Sequence, residues 1–178
     1  MDSLEPQIQV LHGGRFLELV QAGRWEYARR VRSVSAVGVI AVTDQRELIV
    51  VEQYRIPVAA RTLELPAGLV GDQQHLSGEH MLQAAKRELL EETGYEADQW
   101  TYLFDGPSSA GLTDEMVHLY LARGLRQTAS GGGEETENIT VHKIALDGLD
   151  AFLNAQRMAG VLVDMKIRMA GYLLDRRG

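Results

Sequence analysis

Three glutamates within five residues, Glu88, Glu91 and Glu92, are the group in this 178-residue chain best suited to chemistry. At 100° per residue, Glu88 and Glu92 fall on one side of a helix, at the edge of a stripe formed by Met81, Leu82, Ala85 and Leu89. Glu91 lies further round. Like charges at i and i+4 oppose each other, and a carboxylate drawn toward an apolar face is costly unless it is compensated. Arg87 stands four residues before Glu91 and can pair with it. Glu88 and Glu92 then call for another cation, and a divalent metal such as Mg²⁺ suits them, because it takes oxygen ligands and leaves room for water and phosphate. The competing account is a solvent-facing acidic helix with ordinary ion pairs, and position alone leaves both open.

The rest of the chain narrows the chemistry. It has no cysteine, which excludes disulfides, thiolate metal sites and a cysteine nucleophile. His12, His75, His80, His118 and His142 are not spaced as a zinc site; His118 and His142 are expected to be packed or paired. The net charge is −7, so nucleic acid is not an expected partner. A phosphate-bearing substrate would need a metal or a local arginine cluster, and fifteen of the eighteen basic residues are arginine. No apolar run approaches the roughly 18 residues that cross a bilayer. The first residues lack the basic and apolar stretches of a secretory signal, so the expectation is a cytoplasmic protein without a membrane partner.

The elements that must position these groups follow from patterning. Residues 36–43 and 48–54 are continuous apolar runs and predict buried strands. Shorter strands are expected at 8–10, 15–20, 25–32, 62–65, 115–122 and 139–146. The acidic helix is predicted over 79–93, ended by Gly94, and two more helices over 147–157 and 163–175. Loops are expected at 71–78 and at 130–138, where three glycines precede three glutamates. Strands, one central helix, strands and then helices make an α/β or α+β domain without a βαβ repeat.

One motif ties these features together. Gly68 is followed after ten residues by Glu79, and after seven more by Arg87-Glu88-Leu89-Leu90-Glu91-Glu92-Thr93-Gly94-Tyr95. From Glu79 onward this resembles the Nudix box, the signature of the Nudix hydrolases; the family has five residues where this chain has ten. The resemblance implies an α/β/α sandwich with a mixed sheet and a loop–helix–loop box. It also implies hydrolysis of nucleoside diphosphates linked to another group, with Mg²⁺ or Mn²⁺. Glu88, Glu92 and the Ala67 carbonyl would then be metal ligands, with Glu91 close behind. Arg87 would orient the carboxylates, and Glu79 would be structural.

Flanking segments extend the likeness to ADP-ribose pyrophosphatases and related nucleoside diphosphate sugar hydrolases. Glu52-Gln53-Tyr54-Arg55 is similar to their segment before the box, which makes Arg55 a phosphate or ribose contact. Residues 107–115 resemble a downstream segment, with Ala110 where proline is usual, and Glu115 would hold substrate or stabilise the loop. Residues 135–142 resemble an acidic loop that supplies a further metal ligand or general base, with Glu137 first and Glu135 second; Gly131 to Gly133 would let it swing over the substrate. In this subfamily the N-terminal strands often cross to a partner subunit. By likeness, residues 1–34 would form that part of a homodimer, bringing Trp25 with Arg24, Arg29 or Arg30 near the substrate, and residues 35–178 the Nudix domain. ADP-ribose leads the substrates, followed by GDP-mannose, dinucleoside polyphosphates and nucleoside triphosphates. A non-hydrolysing binding module is the remaining class; such modules usually lose box carboxylates, and here all three are present.

Overall fold

The two continuous apolar runs become the central strands because both of their faces are covered. A computed structural model describes residues 7–32, 35–71, 78–133 and 138–176. Strands β4 (Ala36–Val42) and β5 (Glu47–Arg55) form the middle of an eight-stranded mixed sheet. Its other members are β6 (Ala60–Glu64), β7 (Ala67–Leu69), β8 (Tyr95–Pro107), β9 (Met116–Gln127), β10 (Thr140–Ala145) and β11 (Leu162–Val163). The main path runs β11-β6-β5-β4-β9-β8, with β10 on β5 and β7 on β4. The β4–β9 pair is parallel and the β4–β5 pair antiparallel.

Side chains alternate between the two faces. Val37, Val39 and Ala41 pack with Ala84, Ala85 and Leu89 of helix α1 (Met81–Thr93). Ile40, Leu48 and Val50 pack on the opposite face. There they meet Leu149 and Leu153 of α2 (Leu149–Met158) and Ile167 and Ala170 of α3 (Met165–Arg176). The result is the expected α/β/α sandwich. Among the described residues no helix is long and apolar enough to cross a membrane.

A separate antiparallel sheet precedes this core, made of β1 (Ile8–Gly13), β2 (Leu17–Ala22) and β3 (Trp25–Arg30). It joins the body through β3, where the Ala28 amide donates to the Leu112 carbonyl at 2.8 Å. Ile8, Val10, Leu17, Leu19 and Trp25 are all exposed on it.

Several boundaries differ from the sequence expectation. Helix α1 begins at Met81, not at Glu79. Glu79 stays outside because its carboxylate is engaged by Arg87 and the Gly71 amide. Strand β8 was not expected: most of its thirteen residues are exposed, so it carries no continuous apolar run, although Trp100, Tyr102 and Phe104 alternate, and it pairs along its length with β9. Strands β7 and β11 are too short for alternation to show. Residues 162–163 pair in parallel with β6, which moves the start of the last helix to Met165.

Candidate active site

Helix α1 is held at its end by Gly94, whose φ of 75° completes a left-handed cap with its amide on the Leu90 carbonyl at 2.8 Å. The glycine run from Gly131 is laced to the same end. The Gly132 amide donates to the Glu92 carbonyl at 2.9 Å, and the Gly133 amide to the Glu91 carbonyl at 3.0 Å. These glycines were expected to provide swing; the hydrogen bonds tie them to the helix. A Cβ on Gly131 would fall 2.4 Å from the Thr93 carbonyl carbon, so close approach explains the residue type. Glu135 and Glu137 lie outside the described residues, as does His75.

The box carboxylates differ in exposure as the helical wheel implies. Glu92 is 4% exposed and accepts the Ala67 amide at 3.0 Å. Glu88 packs over Gly68, where a Cβ would meet its Oε1 at 1.9 Å. Glu91 faces solvent. Arg87 links the group: Nε and Nη2 donate to Glu79 at 3.0 and 3.1 Å, and Nη1 to Glu88 at 2.7 Å and Glu91 at 3.0 Å. Its Nη2 also donates to the Leu69 carbonyl at 3.1 Å, which fixes the box helix to β7. Burial alone would lower the Arg87 pKa; the bonds from Glu79 and the charge of Glu88 outweigh this and hold it above the ordinary arginine value.

These carboxylates line a cleft of about 490 Å³ together with Arg55, Glu115 and Ala67. The cleft also takes in Arg30, Glu64 and Lys166. Each of its three cations is held by an acid. The Arg55 guanidinium binds Glu64 through two bonds of 2.7 and 2.8 Å. Arg30 donates to Glu115 at 2.8 and 2.6 Å, and the Lys166 ammonium to Asp164 at 2.6 Å. The N-terminal sheet thus supplies Arg30 to the cleft of its own chain, on the same strand as Trp25. Trp25 itself is exposed and does not line this cleft.

Among the described residues, no cluster of three acid or imidazole groups forms a ready metal cage. The donor set is nonetheless oxygen throughout: two carboxylates close to the backbone of Ala67 and Gly68. That suits a hard divalent cation, which commonly takes one or two carboxylates and completes its shell with water and phosphate.

Glu64 and Lys166 were not anticipated as cleft residues. Glu64 lies two residues before Pro66 in a short strand; in the ladder it stands opposite Val51, and Arg55 opposite Ala60, so only the strand pairing brings the two side chains together. Lys166 belongs to Asp164-Met165-Lys166, a short segment similar to one in sugar-nucleotide enzymes; the docking of α3 brings it to the cleft. His118 and His142 are packed or paired as expected, and Trp100 and Tyr95 pack. Trp100 packs edge-on against Tyr120, His118 stacks near Tyr102, and His142 pairs with Glu52 at 2.9 Å.

The family model for the NUDIX domain matches residues 32–161. The chain belongs to the Nudix hydrolase family. A methanol dehydrogenase activator of Bacillus methanolicus is 37% identical over 129 residues, covering 72% of this chain and 67% of that protein. An ADP-ribose pyrophosphatase of Bacillus subtilis is 41% identical over 95 residues, covering 53% of this chain and 49% of that protein. This Nudix chain thus spans about half the length of that relative. In a crystal structure titled as an ADP compounds hydrolase the same fold recurs, with a TM-score of 0.73 and 19% identity. That match covers 97% of this chain and 93% of the other.

Proposed function

We propose that this Nudix hydrolase cleaves the pyrophosphate bond of a nucleoside diphosphate sugar, ADP-ribose first among them, using Mg²⁺ or Mn²⁺. The observation that carries the reading is that one cleft holds both charges. Carboxylates Glu88, Glu91 and Glu92 line it together with Arg30 and Arg55, which are held by Glu115 and Glu64. A pyrophosphate needs both: guanidinium donors for its oxygens, and a cation site for the charge that repels a nucleophile.

Glu88, Glu92 and the Ala67 carbonyl would hold the divalent ion, with Glu137 as a further ligand. When bound, such an ion offsets phosphate charge and makes water a stronger nucleophile. The protein's own groups do the rest. Arg87 holds the Glu88 and Glu91 carboxylates aligned. Arg55 and Arg30 orient the diphosphate, and Glu115 and Glu135 support that binding. Glu137, with Glu91 and Glu92 near the attack, takes the proton of the attacking water. The water oxygen bonds to one phosphorus, the bridging oxygen leaves with the other, and the products are a nucleoside monophosphate and a sugar phosphate. In a homodimer the N-terminal strands, residues 1–34, would cross to the partner subunit and bring Trp25 to the nucleoside bound there; residues 35–178 carry the catalytic domain. The exposed apolar side chains of that sheet support a homodimer. A small nucleotide is the partner, with no nucleic acid or membrane, in keeping with the net charge and a cytoplasmic setting.

The test is product analysis after incubation with Mg²⁺ and ADP-ribose, GDP-mannose, UDP-glucose, a diadenosine polyphosphate and dGTP. Cleavage of diphosphate sugars, ADP-ribose fastest, abolished by EDTA and restored by Mg²⁺ or Mn²⁺, is the expected result. Faster cleavage of another substrate class would reassign the substrate. No turnover of any with either ion would make the protein a nucleotide-binding module.

A further inference from the structure

The ion pair between Arg55 and Glu64 spans more of the sheet than a cross-strand pair needs to. In the β5–β6 ladder Arg55 stands opposite Ala60, Gln53 opposite Thr62, and Val51 opposite Glu64. Residues two apart on a strand, and those directly opposite, share a face, so Arg55, Gln53, Thr62 and Glu64 lie on one face. The Arg55 side chain must cross the Gln53–Thr62 row to reach Glu64, which it meets at 2.7 and 2.8 Å. That row is polar and unsatisfied. Thr62 Oγ1 is buried without a hydrogen-bond partner, the one such side-chain atom among the described residues. Strand β6 is paired on both sides at this point, to Gln53 and to Leu162. Gln53 is 5% exposed and lines the cleft, and its side-chain amide has no hydrogen-bond partner among the described residues. Buried polar groups left in this state are rare and costly.

The ion pair also competes with the task given to Arg55. A guanidinium offers its Nε–Nη2 edge as a fork to one bidentate anion, and the Glu64 carboxylate already fills that fork. A diphosphate that takes the same edge must displace Glu64. The Glu64 side chain is only 13% exposed, and a carboxylate so placed is costly once its cation leaves, unless other donors replace it. Two stand ready. Thr62 lies two residues from Glu64 on the same face, with Gln53 beside it, and a hydroxyl and an amide can both donate. We propose that Glu64, Thr62 and Gln53 are positioning residues that switch Arg55 between two arrangements. In the free protein Glu64 holds the guanidinium down across the row. When a diphosphate lifts it, Thr62 and Gln53 turn their donors to the Glu64 carboxylate. The polar groups left open in the first arrangement are thus paired in the second. This rests on Arg55 meeting a diphosphate, as in the pyrophosphatase reading.

Binding of inorganic pyrophosphate with Mg²⁺ is measured by calorimetry on the wild-type protein, E64Q, T62V and E64Q/T62V. E64Q keeps the shape of residue 64 but weakens its hold on Arg55, and should tighten pyrophosphate about fivefold. T62V removes a donor from the displaced arrangement and should weaken pyrophosphate about fivefold. It should not lower the melting temperature, because the hydroxyl it removes is unpaired in the free protein. Q53M carries the same expectation for binding. In the E64Q background T62V should have almost no further effect, since a neutral amide needs no replacement donor; a Thr62 that touched the ligand would keep its penalty there. Weaker binding by E64Q, indifference of both T62V and Q53M, additive effects in the double variant, or no pyrophosphate binding by the wild type would overturn the switch. Turnover of ADP-ribose is judged separately. Its absence in the wild type beside a tightened E64Q refutes the pyrophosphatase reading alone, and its presence beside a weakened E64Q refutes only the switch.

Discussion

At position 68 a hydrogen stands where any other residue would put a carbon into the Glu88 carboxylate. The glycine is needed for space at the box, not for backbone freedom. Gly68→Ala must therefore push Glu88 aside, and kcat/KM is expected to fall roughly 10²-fold while the thermal midpoint changes little. Unchanged turnover would show that Glu88 is dispensable. Glu92 gives a complementary case. Its carboxylate is nearly buried yet accepts the Ala67 amide, a bond that glutamine can also accept. Glu92→Gln should fold normally and lose about 10²-fold or more in turnover with a weaker Mg²⁺ dependence. Retained activity would remove Glu92 from the metal site. The sequence placed these two glutamates correctly at the edge of the core face, because helical periodicity depends on local spacing alone. It could not show that one of them rests on a glycine twenty residues upstream.

At the scale of elements, α1 works because both of its ends are tied to other parts of the chain. Arg87 links it to β7, and Gly94 with the loop at Gly131 closes its C-terminus. A Cβ on Gly94 would lie 2.1 Å from the Ala129 carbonyl oxygen, in a backbone conformation that itself costs about 1–2 kcal/mol. Gly94→Ala should lower stability by at least that, a drop of several degrees in the melting temperature. A melting temperature equal to the wild type would refute the cap. The far side of the sheet carries a second linkage, in which Glu52 of β5 accepts from Arg61 of β6 and from His142 of β10. Burial would raise the Glu52 pKa, and the Arg61 and His142 bonds reverse this and hold it below the ordinary carboxylate value. The folded protein thus binds that proton more weakly than the unfolded chain. The stabilisation is present above the ordinary carboxylate pKa and is lost as acid carries the pH down through the folded value. Urea unfolding between pH 7 and 3 should show a steeper acid loss for the wild type than for Glu52→Gln; parallel curves would refute the linkage.

For the whole molecule, the N-terminal sheet stands apart from the main sheet among the described residues. Its attachment includes the Ala28–Leu112 bond and the Arg30–Glu115 pair, and it exposes Ile8, Val10, Leu17, Leu19 and Trp25. Ile8, Val10 and Trp25 share one face by the strand register, and Leu17 and Leu19 the other, and either face could be covered by a partner. Sedimentation should give twice the chain mass, and Leu19→Glu should shift the protein toward monomer. A monomeric wild type would refute the homodimer, and a dimeric variant would move its interface elsewhere.

By itself the sequence determined the box helix, its Gly94 stop, the two buried central strands and the α/β class. Each rests on a period or spacing within one segment, and those are set by backbone geometry. It also set the family, through residues 79–95. Tertiary structure alone decided that Arg55 is held by Glu64, that Arg30 meets Glu115, and that Lys166 shares their cleft. Those meetings depend on sheet order and helix docking, which bring together residues that no local pattern connects. The pairing of β8 with β9 along almost its whole length is another such meeting.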